Sequence, residues 1–385
     1  MRTIKYITLN GRIPSYTADG IAVMNTCHYI SKNGFNLSLI IPDEMGLGKK
    51  KYNNEWSFYG LEKNFNIKKI RTPFTGMLSS ILFLLKIACL SFRGKQAIYH
   101  VRHIQLAVVV GILGRITIFE SHNFKKAQNS KLLFHLFIFL IKRNKSISII
   151  STTHAGAEAY QQCGVPADKI KVLPNGVDVR KFNDIKTPKD ILRSELKIPK
   201  YQNVACHAGS LYEGRGIEEV LYAAKKLPDV LFLFVGGPQK RVDYYENYCS
   251  EKGVKNVLFV GFIQQDKLHK YILASDFVLM PYTSKTKTKE FMSPMKMFDY
   301  LASGRPIIAT DFPVISEILD HRENAILVEP DSGRAIYDGI KLLTDSPELS
   351  AKIGKNALEE AEKYTWKIRG KEISDWYKIN LISNV

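Results

Sequence analysis

Short apolar runs that end in small or polar residues alternate along this chain with stretches of helical length, and they do so in two successive series. In the first, RTIKYITLN (2–10), FNLSLIIP (35–42), QAIYHVR (96–102), ITIFESH (116–122) and SISIIST (146–152) read as strands. A polar loop, GRIPSYTADG (11–20), and the helical IAVMNTCHYISKNG (21–34) separate the first two. The second series restarts with NVACHAGS (203–210), GIEEVLYAAKKLPD (216–229) and VLFLFVGG (230–237), and continues through NVLFVGF (256–262), FVLMPYT (277–283) and RPIIATD (305–311). Strands alternating with helices of this length imply a parallel sheet covered on both faces. Two series in 385 residues predict two Rossmann-like, doubly wound α/β domains. Pro and Gly interrupt the pattern in KVLPNGVDVRKFN (171–183). The expected domains are therefore 1–175 and 176–365, with a C-terminal helix at about 366–385 packing back on the first. Open parallel sheets bind ligands beyond the carboxyl ends of their strands, so a site is expected where two such domains face across a cleft.

Charge adds a second constraint. The net charge is +18, and residues 1–175 hold 24 Lys and Arg against 8 Asp and Glu, whereas the remainder holds 31 against 29. So basic a first half expects an anionic partner surface. Two segments there, GMLSSILFLLKIACLSFRGK (76–95) and KLLFHLFIFLIKRNK (131–145), are strongly apolar but broken or flanked by cations. Neither has the ~20 uninterrupted apolar residues of a membrane span. They read either as buried helices or as helices whose basic ends and apolar faces lie in an anionic membrane interface. Nucleic acid is not expected, since no zinc-finger, helix-turn-helix or RNA-recognition signature is present. The five cysteines, Cys27, Cys89, Cys163, Cys206 and Cys249, form no Cys-x-x-Cys pair. They suit a reducing cytoplasm better than a disulfide or zinc framework. The start of the sequence enters a strand pattern without a signal-peptide core.

Four stretches carry candidate chemistry. In KEFMSPMKMFDYLASGRPIIATD (289–311), Ser293 reads as an N-cap and Pro294 as the first helical residue. The amides near Met295 and Lys296, backed by the helix dipole and the Lys296 charge, would suit a phosphate. Asp299, three residues on, could accept hydrogen bonds from a vicinal diol such as a ribose; the plainer account is a capped helix with a surface Lys–Asp pair. In HAGSLYEGRG (207–216) a strand ends at Gly209 and Ser210, and Arg215 opens the next helix: a second anion candidate, or a turn needing glycine. Gly20, read as part of the loop after the first strand, would permit close approach to phosphates. FESHN (119–123) would put Glu120 and His122 at a strand end, where His122 could donate to a sugar hydroxyl or be a satisfied structural histidine. GLGKK (46–50) lacks the full phosphate-loop pattern, and no Gly-x-Gly-x-x-Gly follows the first strand. No His/Asp cluster has metal-ligand spacing.

Taken in order, VLPNGVDVRKF, GSLYEGRGIEEVLYAAKKLPDVLFLFVGG, VLFVGFI and SPMKMFDYLASGRPIIATDFPVISEIL resemble the nucleotide-sugar-dependent glycosyltransferases of family 4. The resemblance covers most of residues 171–320 and, more weakly, the loop 11–20 and FESHN. It implies the GT-B fold and a retaining transferase without a metal. By that resemblance Arg215 and Lys296 grip the diphosphate and Asp299 binds the ribose. Gly209 and Ser210 line the donor, backbone near Phe262 and Ile263 edges the base, and His122 contacts the donor sugar. Gly20 lets the loop close on the phosphates, while the amides from Met292 to Met295, with Ser293 and Pro294 among them, meet phosphate and sugar. Two positions depart from the family pattern. Phe291 stands where a glutamate is usual, with Glu290 adjacent as a candidate replacement, and Ser210 stands where a basic residue is common. The expected partners are a nucleoside diphosphate sugar, a lipid-linked or otherwise membrane-borne glycan acceptor, and an anionic membrane surface at the inner face of the cell membrane. The alternatives are a nucleotide-sugar epimerase of the same fold and a non-catalytic subunit that binds nucleotide sugar or membrane.

Overall fold

Residues apolar on both sides of a strand can be buried only between two layers of helix, and the strands of both series behave that way. Every residue of β5 (Thr117–Ser121), β6 (Ile147–Ser151) and β9 (Val230–Val235) is buried. The computed structural model describes residues 3–44, 54–93 and 97–382; the GLGKK stretch lies outside them. The chain divides into two compact units, Met1–Asn175 with Trp366–Val385, and Gly176–Thr365.

The first unit holds seven parallel strands. In chain order they are β1 (Thr3–Ile7), β2 (Asn36–Glu44), β3 (Asn66–Thr72), β4 (Ile98–Val101), β5, β6 and β7 (Ile170–Val172). Their order across the sheet is β3-β2-β1-β4-β5-β6-β7. The second unit holds β8 (Asn203–Ala208), β9, β10 (Val257–Gly261), β11 (Phe277–Met280), β12 (Ile307–Thr310) and β13 (Ile326–Val328). They are again all parallel, in the order β10-β9-β8-β11-β12-β13. Strand order reverses between β1 and β4 in one sheet and between β8 and β11 in the other. Those two reversal points are where doubly wound sheets open a crevice.

The C-terminal helix Trp366–Ile382 belongs to the first unit and packs along the helix Ala18–Lys32. It delivers Arg369, whose guanidinium meets the Glu120 carboxylate at 2.6 Å, both buried. Glu120 stands at the end of β5, as the sequence suggested, and its carboxylate is buried. Besides Arg369 it binds the Tyr6 hydroxyl at 2.6 Å and His100 Nε2 at 2.7 Å. Burial raises a carboxyl pKa, but here the Arg369 and Arg102 cations win and hold Glu120 well below the usual range.

Candidate active site

The second unit builds its site at the β8/β11 reversal point. β8 ends in Gly209, whose φ of +138° is open to glycine at little cost; a Cβ there would stand 3.5 Å from Lys296 Nζ. The following loop returns to the sheet at Gly216, the left-handed N-cap (φ +68°) of the helix Ile217–Lys226. A side chain at Gly216 would drive its Cβ to 1.7 Å from the Pro281 carbonyl oxygen, so only glycine lets this loop rest on the end of β11. The contact is reinforced from Gly214, whose carbonyl accepts from Thr283 N at 3.1 Å and Thr286 Oγ1 at 2.6 Å.

Tyr282, immediately beyond β11, is the piece the sequence did not reveal. Its ring is buried, and its carbonyl accepts from Thr310 Oγ1 at 2.7 Å. The Arg215 guanidinium carbon and Lys296 Nζ each lie 5.0 Å from the centroid of that one ring. The two cations therefore converge beside one aromatic ring, separated by no more than the sum of those distances. Burial first, and the Arg215 charge second, push Lys296 well below its ordinary pKa. An arriving anion would reverse both pressures.

Lys296 belongs to the helix Met295–Ser303. Ser293 is not its cap, contrary to the sequence reading, nor is Pro294 its first residue. Pro294 itself takes the extended N-cap conformation (φ −70°, ψ 123°), and no side chain caps the helix. The reason is local: the Met297 N–H reaches the Pro294 carbonyl at 3.1 Å, so the first turn closes on the proline. The helix thus starts one residue later than expected, and by position the amides of Met295 and Lys296 lack an intrahelical acceptor. Asp299 follows on this helix. Burial raises its carboxyl to about 6, partly opposed by the cation of Lys181, which the stretch NGVDVRKF supplies.

The other donor candidates of this unit are placed at strand ends or ahead of the helix. Ser210 is half-buried after β8. Phe262 is exposed and Ile263 half-buried just beyond β10, where the Gly261 carbonyl accepts from Gly236 N at 2.8 Å. Glu290 is exposed, and Phe291 half-buried, in the turns that precede Pro294. A separate cavity of about 400 Å³ is lined by Glu213, Glu218, Glu219 and Asp331, with Arg241 and Lys285. Four carboxylates would repel a diphosphate, so the anion site is the Arg215–Tyr282–Lys296 group rather than this hollow.

In the first unit His122 stands beyond β5, its Nε2 in contact with an Arg102 amine and 3.0 Å from Glu120 Oε1. Arg102, at the end of β4, also pairs with Asp19 at 3.0 Å. Burial and the Arg102 charge lower the pKa of His122, which keeps the ring neutral. These groups line a cavity of about 370 Å³ with His103, Asn123 and Lys126. Gly20 is not in a loop, as expected, but in the first turn of the helix Ala18–Lys32. Its amide donates to Thr17 Oγ1 at 3.3 Å, and a Cβ would come within 2.6 Å of Ser15 Oγ. Its role is to let residues 13–17 fold over the helix start, so it offers no amide to a phosphate. The sequence reading also passed over Arg102 and Asp19; the visible signal was a cation directly after a strand in QAIYHVR. Among the described residues no group of three or more His, Cys, Asp or Glu could hold a metal ion.

The sequence profile of the family described as glycosyl transferases group 1 matches residues 188–360. The chain carries a group 1 glycosyl transferase domain. That domain contains Gly209, Arg215, Tyr282, Lys296 and Asp299 together. Among curated relatives, alpha-galactosylglucosyldiacylglycerol synthase of Streptococcus pneumoniae is 24% identical over 211 residues, covering 53% of this chain and 55% of that one. D-inositol 3-phosphate glycosyltransferase of Corynebacterium glutamicum is 25% identical over 247 residues, covering 61% and 57%. The chain spans about half the length of the curated relatives it matches. Solved structures extend the likeness beyond the group 1 domain to the whole chain. The sucrose-phosphate synthase of Thermosynechococcus elongatus superposes with a TM-score of 0.80 at 16% identity, covering 100% of both chains. Anabaena HepE in complex with UDP superposes with a TM-score of 0.76 at 17% identity, covering 98% of this chain and 100% of that one. At such identities the likeness shows the fold alone: GT-B, with two Rossmann-like α/β domains.

Proposed function

We propose that this protein is a retaining glycosyltransferase that moves a sugar from a nucleoside diphosphate sugar to a hydroxyl of a lipid-linked or membrane-borne glycan, as in bacterial surface polysaccharide or glycolipid assembly. The observation that carries this reading is the pair of cations, Arg215 and Lys296, set 5.0 Å from one Tyr282 ring beside the glycine end of β8. Such a group is made for a pyrophosphate. As the bond from the anomeric carbon to the phosphate oxygen breaks, negative charge grows on the leaving diphosphate. The two cations and the amides of Met295 and Lys296 stabilise it more in the transition state than in the ground state. The acceptor oxygen bonds to the anomeric carbon from the same face, and its proton passes to the departing phosphate oxygen, so configuration is retained. With two cations on the diphosphate, no metal is needed. The role that resemblance gives His122, contact with the donor sugar, suits a neutral ring. HepE has been solved with UDP and with UDP-glucose, so uridine diphosphate sugars are the first donors to try.

A thermal-shift screen of nucleoside diphosphates and their sugars, followed by assay of nucleoside diphosphate release, tests the proposal. A selective ligand raises the melting temperature, and release requires an acceptor and survives a chelator. Conversion of donor alone into a second sugar nucleotide would instead establish the epimerase, and no turnover with any donor would leave a binding subunit.

Asp299 supplies a pH test. Only its ionised form can accept two hydrogen bonds from a ribose diol, and its folded pKa is about 6. Affinity for a nucleoside diphosphate sugar, whose phosphates do not titrate here, should rise with pH and level off above 6, being about tenfold weaker at pH 5 than at pH 7. Asp299→Asn should remove the step. Calorimetry that finds the same pH profile in wild type and Asp299→Asn would take the ribose away from Asp299. For stability the sign is opposite. A carboxyl raised from 3.8 to about 6 by folding makes the folded state less stable as pH climbs through that interval.

A further inference from the structure

The helix Gly76–Arg93 is apolar on both of its long faces, and a fold can bury only one of them. Ser79, Phe83, Ile87 and Ser91 point into the first unit. On the other side Met77, Leu78, Ile81, Leu85 and Phe92 are exposed, at 78%, 60%, 44%, 59% and 69%. At 3.6 residues per turn these five fall within about 100° of the helix circumference, which makes a continuous stripe rather than scattered exposure. The helix Ile104–Ile112 packs beside this one, and the helix Lys131–Arg143 packs beside that in turn. They too expose apolar side chains, Ile112 and Leu132, at 59% and 80%.

The exposed charge along this stretch of sequence has one sign. Between Glu62 and Glu158 the sequence has a single acidic residue, Glu120, and it is buried against Arg369 and His100. The same interval contains 15 Lys and Arg. Lys131, Lys142, Arg143 and Lys145 are exposed at the two ends of the helix Lys131–Arg143, and the Arg143 guanidinium lies 4.3 Å over the exposed Phe139 ring. Apolar side chains flanked by cations, with no exposed acid in that interval of sequence, complement a layer that is anionic at its headgroups and apolar beneath them. No helix among the described residues is long and apolar enough to cross a membrane, so such a surface would lie on the layer.

We infer that the stripe Met77–Leu78–Ile81–Leu85–Phe92, together with Leu132, is the surface by which this protein docks on an anionic lipid leaflet. The inference rests on the membrane-borne acceptor reading for its purpose, but it is read out separately. A second copy of the chain fits less well, because two such surfaces would bring their cations together.

The test is flotation of the full chain with phosphatidylcholine vesicles, with and without phosphatidylglycerol. The protein should float with the anionic vesicles at low salt. Binding should fall at about 1 M salt, where screening shortens to about 3 Å, without being abolished, since the apolar part remains. Met77→Glu/Leu85→Glu and Lys142→Glu/Arg143→Glu should each weaken binding by about tenfold or more while circular dichroism and nucleotide-induced thermal shifts stay as in wild type. An environment-sensitive fluorophore on Cys89, exposed on the same helix, in a Cys163→Ala background, should shift to the blue when anionic vesicles are added. Equal flotation on neutral and anionic vesicles would overturn the inference, as would variants that bind like wild type. A vesicle-free dimer abolished by Met77→Glu/Leu85→Glu would also overturn it, by assigning the surface to self-association. Vesicle binding without donor turnover would leave the docking surface standing and remove the transferase. Turnover on a detergent-dispersed acceptor without vesicle binding would do the reverse.

Discussion

Arg215→Ala and Lys296→Ala should each lower the turnover number about 10²–10³-fold, the scale on which removing one charge-stabilising donor acts. The loss should fall on kcat more than on KM, because the charge they meet is largest when the glycosidic bond is breaking. As both serve one leaving group across one ring, the double variant should be far less impaired than the product of the two single losses. Folding should be unharmed. Lys296 is held well below its normal pKa by burial and by Arg215, so its charge costs the folded state, and Lys296→Met should melt within about 1 kcal/mol of wild type or above it. Steady-state kinetics together with thermal melts decide the matter: a Lys296→Met protein with normal kcat would end the mechanism.

Glu120→Ala should destabilise the first unit by about 3–5 kcal/mol, because it leaves Arg369 charged and buried without its partner. In a melt this is a fall on the order of 10 °C. Arg369→Ala should cost a similar amount, and a double-mutant cycle should show strong coupling between the two. The acid side follows from the same carboxyl. Its folded pKa lies well below the unfolded 4.5, so its contribution is complete above 4.5 and is lost as pH falls further towards the folded value. His100, lowered by burial beneath 6.5, acts in the same direction from 6.5 downward, since the unfolded chain takes up its proton first. Urea titrations at several pH values check this; a Glu120→Ala loss under about 1 kcal/mol would show that the pair is structurally idle.

What could be read in advance was what burial writes directly into residue type. β5, β6 and β9 are buried throughout and announced themselves as apolar runs. β3 did not: NIKKIRT sits at the sheet edge and carries Lys68, Lys69 and Arg71, charge that edges use to resist pairing. β7 and β13, three residues each, are too short to carry a pattern. At the site, Arg215 and Lys296 were visible because charge at a strand-to-helix junction needs a reason. Tyr282 was hidden, since an aromatic after a strand reads as core until the partners of its ring are known. Ser293 and Gly20 misled for a related reason: each was the right residue type for its assumed place, but one helix starts a residue later than expected and the other three residues earlier. Glu120 was placed rightly at a strand end, but its burial could not be read because the cation that neutralises it is 249 residues away in sequence.

That last separation governs the order in which the protein can be made. Residue 120 leaves the ribosome long before residue 369, and the whole of Gly176–Thr365 emerges between them. A nascent first unit must therefore hold a carboxylate destined for the interior without its guanidinium, a state its finished core does not tolerate. Residues Gly176–Thr365 can fold before the helix Trp366–Ile382 emerges, and that helix then delivers Arg369 to the waiting Glu120.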